Sequence, residues 1–269
     1  MKNNLIKLLP ALLLSFGASA FAAPVTTTIA DTFVGGVDNN SPARDIIGDP
    51  NSFDIQGMDV TIDRAAGTLQ VKIATQWWDP SLNGVFNFGP GYDVRSGDLF
   101  ISTNGWSPFG AAPYDQDDAS NGEGWEYVFD TSEGKIYGGA CGLSLSQNEM
   151  TGPLIGPDVN DDGVGDYAYR DNQETRRSGG GTEVGTGTAT STFSDGDPVA
   201  FFTYNLTLAA LGIDPNGPIN LGFHWTMTCG NDVIEGGVEG GPGNEVPEPG
   251  IVLLFGLGLL GLGLRRRAS

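Results

Sequence analysis

The feature that most constrains the fold is the alternation of apolar and polar residues along three stretches of the chain. The apolar positions are Leu69, Val71, Ile73 and Trp77; Phe202, Tyr204, Leu206 and Leu208; and Leu221, Phe223, Trp225 and Met227. A period of two places successive side chains on opposite faces of a strand. Away from the two chain ends we find no sustained helical period, so the sequence predicts an all-β fold.

Shorter strand candidates lie between turn signals, at 28–33, 53–62, 98–103, 125–130 and 134–137. Gly, Asn, Asp and Pro dominate the segments between the strands, and these residues favour turns. About eight short strands with alternating faces indicate a two-sheet sandwich that is jelly-roll-like. A closed barrel is the alternative.

Two glycine-rich stretches are predicted to lie outside the sandwich. Residues 179–192 have low complexity and are expected to form a flexible loop or the tip of a hairpin. Residues 236–245 are expected to form a spacer. The sequence therefore predicts a β-sandwich body at residues 23–235, followed by this spacer.

The N-terminal residues 1–22 have the composition of a secretory signal peptide. Lys2 and Lys7 precede a short apolar segment at 8–16, and small residues such as Ala20 and Ala22 follow it. A positive start, an apolar centre and an Ala-x-Ala end are the parts of such a peptide. We expect cleavage after Ala22, with cleavage after Ala20 as the alternative.

The C-terminal segment 246–269 has three parts in a fixed order: a Pro-Glu-Pro turn, an uncharged apolar run at 251–264, and a cationic end. The turn and the cationic end consist of Pro247, Glu248, Pro249, Arg265, Arg266 and Arg267. Arginines after an apolar run hold its end at the cytoplasmic face. The run is shorter than the roughly 20 residues that a spanning helix needs, so a short transmembrane sorting helix is expected rather than a permanent anchor.

This order of parts resembles the PEP-CTERM sorting signal of Gram-negative bacteria, and the resemblance is confined to the tail. It implies export through the inner membrane and periplasm. It also implies recognition by exosortase, a membrane protease-transferase, and cleavage near the Pro-Glu-Pro. Signal peptidase is the expected partner of the N-terminal signal peptide. Delivery to the cell surface or to an exopolysaccharide (biofilm) matrix is the expected outcome.

The charge of the chain excludes some partners. The formal net charge is −20, and nucleic acid or an anionic membrane surface would repel such a body. Divalent cations and neutral polysaccharides remain open. Aromatic and branched apolar residues recur throughout, so disorder is expected only in loops.

The chain has two cysteines, Cys141 and Cys229. Because export leads to an oxidising compartment, a disulfide between them is the simplest prediction. A metal centre is a poor alternative because the chain has one histidine and thus few soft ligands. Nothing in the sequence marks either thiol as catalytically activated.

The segment 158–166 resembles the opening of a calcium-binding loop of the EF-hand-like type. Its candidate ligands are Asp158, Asn160, Asp162 and Asp166, with Gly163 allowing the sharp turn. Position 12 of the loop is Tyr169, so the bidentate Glu of an EF-hand is missing. A weak calcium site is one interpretation, and a plain acidic turn is the other.

Tryptophans suggest a carbohydrate-binding surface. Exposed indole rings stack on sugars, and consecutive Trp77 and Trp78 must point to opposite faces of a strand. Trp78 and Trp106 are therefore candidate carbohydrate contacts. The alternative is that one of the paired rings lies in the core and the other is half covered by a loop.

Catalytic signatures are weak. His224 lies on the strand face opposite Phe223 and Trp225, so it is expected to be at least half exposed, and no Gly-x-Ser-x-Gly elbow accompanies it. The acidic segment 115–126 contains carboxylates at no fixed separation, and loop solvation is the simpler interpretation. We therefore expect no enzyme and no certain cofactor, but a non-enzymatic surface or matrix protein. A carbohydrate-binding module is the alternative, and a glycosidase-like enzyme is the third candidate.

Overall fold

The strands follow one another along almost the whole body, joined by turns and long loops. In a computed structural model of the chain, the described residues are 23–36, 44–77, 86–87, 93–122, 124–139, 144–147, 170, 172–193 and 199–242. Residues 23–244 belong to one compact unit. The prediction of an all-β fold with two antiparallel sheets is confirmed.

The described residues contain fifteen strands, numbered here in chain order. They are β1 (Val25–Ile29), β2 (Ile55–Asp63), β3 (Thr68–Thr75), β4 (Phe86–Asn87), β5 (Asp93–Val94), β6 (Leu99–Ser102), β7 (Tyr127–Asp130), β8 (Lys135–Gly138), β9 (Ser144–Gln147), β10 (Glu174–Gly179), β11 (Thr182–Thr186), β12 (Thr188–Phe193), β13 (Ala200–Thr207), β14 (Ile219–Thr226) and β15 (Val233–Gly240).

Two large antiparallel sheets carry most of these strands. The five-stranded sheet has the order β1-β2-β3-β13-β12, and the six-stranded sheet has the order β11-β8-β7-β6-β14-β15. The short pairs β9–β10 and β4–β5 form two further ladders. Helical structure in the described residues is limited to a one-turn helix, α1 (Pro50–Phe53), and a 3-10 turn, Leu208–Leu211.

The main core lies between the two large sheets and is built from the alternating positions that the sequence predicted. Leu69, Val71 and Ile73 of β3 are fully buried. Phe202 and Tyr204 of β13 contribute to the same cluster, as do apolar residues of β14 and β15. Within the described ranges, no helix is long and apolar enough to cross a membrane; the predicted C-terminal helix lies outside those ranges.

The prediction that residues 179–192 lie outside the sandwich is wrong. Most of this stretch forms β11 and β12, which pair with β8 and β13 respectively. Threonine has a high strand propensity, and low complexity does not prevent backbone pairing. Gly187 lies where the chain passes from one sheet to the other, and a Cβ there would lie 2.4 Å from the carbonyl oxygen of Asn205.

The prediction that a spacer begins at residue 236 is also wrong, because 236–240 form the second half of β15. The glycines here are required by close packing. A Cβ at Gly236 would lie 2.4 Å from the side chain of Ile29, and one at Gly237 would lie 2.8 Å from that of Trp106. The body therefore extends at least to residue 240.

The long connection between β6 and β7, described at 103–122 and 124–126, covers the outer face of the six-stranded sheet near β14 and β15. Beneath it, Phe100, Trp125 and Val128 form a second buried cluster. A Cβ at Gly222 of β14 would lie 2.8 Å from the carbonyl oxygen of Gly105, which shows how closely the connection approaches the sheet. Both faces of this sheet are therefore buried near β14.

Candidate functional site

Several predicted site residues lie outside the described residues. These are the sorting tail with Pro247, Glu248, Pro249, Arg265, Arg266 and Arg267; the loop with Asp158, Asn160, Asp162 and Asp166; and Trp78 and Cys141. The calcium site and the sugar contact of Trp78 stay predictions. Cys229 and Trp106 can be placed.

Cys229 follows the end of β14, where it is buried with 1% of its surface exposed. Its sulfur is a free thiol, so the predicted disulfide with Cys141 is not seen in the part of the chain that the structure describes. Burial raises the pKa of this thiol to about 12. Cys229 therefore acts as a small apolar core residue and not as a nucleophile.

The described tryptophans mainly stabilise the interior. Trp77, Trp125 and Trp225 are buried, and the indole N–H of Trp225 donates to the Tyr204 hydroxyl over 2.8 Å. Trp106 is half-buried, and its indole N–H donates to Oε2 of Glu235 over 3.2 Å. This bond ties Trp106 to the sheet, so one edge of its ring is committed to structure.

Sequence reasoning missed an acidic cluster made by Asp31, Asp54 and Asp232. Carboxylate oxygens of these three residues all lie within 4.8 Å of one another. They come from the segment after β1, the end of α1 and the turn before β15. Because these segments are far apart in the sequence, no motif spacing could predict the cluster. Among the described residues, these three carboxylate oxygens lie close enough together to bind a hard cation.

The hydrogen bonds of the cluster are uneven. Asp232 is fully buried and accepts from the backbone N–H groups of Ile55 (2.5 Å) and Val233 (2.8 Å). Oδ1 of Asp31 is buried without a hydrogen-bond partner among the described residues. A buried charge without a partner is costly. Protonation of Asp31 removes that charge and with it the repulsion from the neighbouring carboxylates.

The electrostatics agree with a protonated Asp31. Burial, followed by the charges of Asp45 and Asp54, raises the pKa of Asp31 to about 8, while the Arg170 guanidinium acts in the opposite direction. Burial and then the charge of Asp31 raise the pKa of Asp232 well above its usual range. The cluster therefore keeps at least one proton at neutral pH.

Arg170 holds the loops around this cluster together. It is fully buried, and its Nη2 donates to the carbonyl oxygens of Arg44 (2.6 Å) and Asp45 (2.8 Å). Further bonds reach the carbonyl oxygens of Gly35, Gly36 and Gly230 at 3.2–3.3 Å. A planar guanidinium suits such a set because it presents five donors in fixed directions.

A second buried polar group surrounds His224, which is fully buried and not exposed as the alternation predicted. Its Nδ1 lies 2.7 Å from Oε1 of Glu235, and its Nε2 lies 2.6 Å from the carbonyl oxygen of Glu174. Because a carbonyl can only accept, Nε2 carries a hydrogen. The Nδ1–Oε1 contact then shares one proton between the ring and the carboxyl group.

Burial makes both carboxyl groups near His224 harder to ionise. Burial raises the pKa of Glu174 to about 7 and that of Glu235 well above its usual range, and the charge of Asp117 adds to the second shift. Asp117 is itself buried and accepts from the Phe109 backbone N–H, so it is not a solvated loop residue. The group is buried, and its position favours a role in fixing the covering connection.

Comparison with known proteins informs the tail and not the body. No curated protein and no solved structure matches the chain. Residues 245–267 match the PEP-CTERM protein-sorting motif. This segment contains the Pro-Glu-Pro turn, the apolar run and the three arginines. The chain thus carries a PEP-CTERM sorting signal at its C-terminus, the signal of exported surface proteins that exosortase processes.

Proposed function

We propose that this chain is a non-enzymatic structural or interaction protein of the Gram-negative cell surface or exopolysaccharide matrix. The observation that carries the proposal is the PEP-CTERM motif at residues 245–267. Signal peptidase and exosortase are the partners of its two ends, with a transient stage in the inner membrane. The body is then the part that remains at the surface.

The placement of titratable groups supports a non-enzymatic role. Asp98, Glu174 and Asp232 are buried, and burial raises the pKa of each carboxyl group. Perturbed pKa values often mark active sites. Here, however, the carboxyl groups of Asp98 and Asp232 accept from backbone N–H groups. The backbone carbonyl of Glu174 accepts from the buried His224 ring. These arrangements are typical of groups that stabilise the packed interior.

Cell fractionation tests the sorting step. We expect Glu248→Ala, or deletion of Arg265–Arg267, to leave precursor in the inner membrane, because each removes one part of the signal that exosortase reads. Glu239→Ala is a matched control, since Glu239 is an exposed acidic residue of β15 outside the motif. Unchanged release of the body in both tail variants would refute the proposal.

A carbohydrate-binding module is the second candidate function. It is supported by the partial exposure of Trp106 and by an outer face of the five-stranded sheet that is mainly hydroxyl and amide groups, with few charged side chains. A glycan array with the wild-type protein and with Trp78→Ala tests the tryptophan version. Binding that the substitution abolishes supports it, and binding that survives removes Trp78 from the site. Turnover of a polysaccharide panel that Glu123→Gln abolishes would instead favour a glycosidase.

A further inference from the structure

The outer face of the five-stranded sheet is rich in hydroxyl and amide side chains. Alternate residues of all five strands point away from the core, and the pairing registers align them in rows across the sheet. One row consists of Thr26, Thr61, Gln70, Asn205 and Thr188. With strands about 4.8 Å apart, five members span about 19 Å.

Hydrogen bonds between neighbours fix the side chains of this row. The hydroxyl groups of Thr26 and Thr61 lie 2.8 Å apart. Nε2 of Gln70 donates to Oδ1 of Asn205 over 2.8 Å, and Nδ2 of Asn205 donates to Oγ1 of Thr188 over 3.3 Å. These bonds use only part of the capacity of the amides. Among the described residues, no such bond uses the second N–H of Asn205 or the carbonyl oxygen of Gln70, so both can meet a ligand.

A groove of about 570 Å³ runs beside this row. One of its walls is the crossing of the chain between the two sheets, at Thr186, Gly187 and Thr188. Its lining, which we call the threonine groove, consists of Pro24, Thr61, Asp63, Thr68, Leu69, Gln70, Thr186, Gly187, Thr188, Asn205, Leu206 and Thr207. The groove is therefore open, and seven of its twelve lining residues carry a neutral hydroxyl or amide group.

We propose that the threonine groove binds a neutral polysaccharide. Sugar hydroxyl groups donate and accept in turn, which matches a row of amides and hydroxyls that neighbouring side chains already hold in place. Prior ordering lowers the entropic cost of binding. This inference depends on the proposed function in one respect, because export is what brings the body to a polysaccharide matrix.

Charge selects neutral over anionic polymers. Asp63 is the one ionisable residue in the lining, and the whole chain has a net charge of −20. A uronate-rich or sulfated polymer would be repelled. Nearby, Lys72 lies over the Phe201 ring at 3.8 Å and covers its outer surface. Binding therefore depends on hydrogen bonds, and each single site is weak.

Affinity electrophoresis and titration calorimetry test the groove with the full chain. The chain should be kept in a detergent without a sugar headgroup, because a sugar headgroup would compete with the polymer for the groove. The probes are dextran, laminarin and xyloglucan as neutral polymers and alginate as the anionic one. We expect retardation by at least one neutral polymer and none by alginate. A chain that no neutral polymer retards, or that alginate retards more strongly, would overturn the proposal.

Two matched variants place the binding site. Gln70→Ala/Asn205→Ala removes both amides and is expected to weaken binding about tenfold, because the hydrogen bonds of two neutral groups to the polymer are lost. Thr188→Val removes one groove hydroxyl at constant shape and is expected to weaken binding several-fold. Its control is Thr190→Val, on the same strand and face but outside the lining.

The pattern of losses decides the outcome. Weakening by the groove substitutions with wild-type binding in Thr190→Val supports the site, and equal binding by all variants refutes it. Circular dichroism melts confirm that the exposed substitutions leave the fold intact. Sorting is measured separately by fractionation, so loss of binding with normal surface delivery leaves the proposed function standing.

Discussion

Replacing Asp31 by asparagine tests the acidic cluster, because it removes the ionisable group and keeps the shape of the side chain. The usual pKa of the carboxyl group is 3.8, and burial with nearby charges raises it to about 8 in the folded protein. Below pH 3.8 both the folded and the unfolded states hold the proton. Between these two values the unfolded chain releases the proton and the folded protein keeps it, so the free energy of unfolding falls as the pH rises.

The size of the effect follows from the width of this window. One pH unit corresponds to a little over 1 kcal/mol for a single proton. Between pH 5 and pH 8 the free energy of unfolding of the wild type should therefore fall by up to about 4 kcal/mol. Asp31→Asn should not show this fall, because it has no proton to release at this position. Typical domains have a free energy of unfolding of about 5–15 kcal/mol, so the loss is large enough to measure. Asp232 titrates together with Asp31, which makes this figure an upper value.

Urea denaturation followed by tryptophan fluorescence gives the measurement, because Trp77 and Trp225 are buried. EDTA keeps divalent cations from replacing the proton. Asp59→Asn is the control, since Asp59 lies on the outer sheet face and accepts from the Thr28 hydroxyl over 2.6 Å; its effect should be similar at both pH values. Parallel decline of wild type and Asp31→Asn from pH 5 to pH 8 would refute the reasoning.

Two further predictions concern Arg170 and the acidic loop. Arg170→Met should lower the free energy of unfolding by at least about 3 kcal/mol, because it leaves buried carbonyl oxygens without their donor and removes a positive charge near Asp31 and Asp232. Urea denaturation that finds a loss no larger than that of the more exposed Arg64→Met would contradict this. If Asp158, Asn160, Asp162 and Asp166 bind calcium, millimolar calcium should raise the melting temperature by a few degrees and Asp162→Ala should abolish that rise. Calorimetric melts that calcium leaves unchanged in both proteins would identify an acidic turn.

The strands of the core could be predicted because alternation is a local signal. Leu69, Val71 and Ile73 face inward for the reason that the sequence suggested: one side of β3 packs against the opposite sheet. The same signal identified β13 and β14. It says which side of a strand a residue occupies, and for these strands one side is the core.

Alternation could not show whether the other side of a strand is covered. His224 occupies the predicted face of β14, but a distant connection covers that face and buries it. The glycines at 222 and 237 permit this close approach, and glycine in a strand can equally signal a bulge or a loop. The acidic cluster was missed for a related reason, since Asp31, Asp54 and Asp232 meet only after the sheets have packed.

The two outer faces differ in a way that indicates where the body meets its surroundings. The six-stranded sheet carries Phe100 and Val128 on its outer side, so covering that side stabilises the fold. The five-stranded sheet carries mainly hydroxyl and amide groups on its outer side, and water solvates such groups. High strand propensity accounts for its threonines, but it does not account for Gln70 and Asn205 paired over 2.8 Å, because amide residues are not favoured in strands. That pair faces away from the core, where it can stabilise the sheet as a cross-strand pair and where the proposed polysaccharide would meet it.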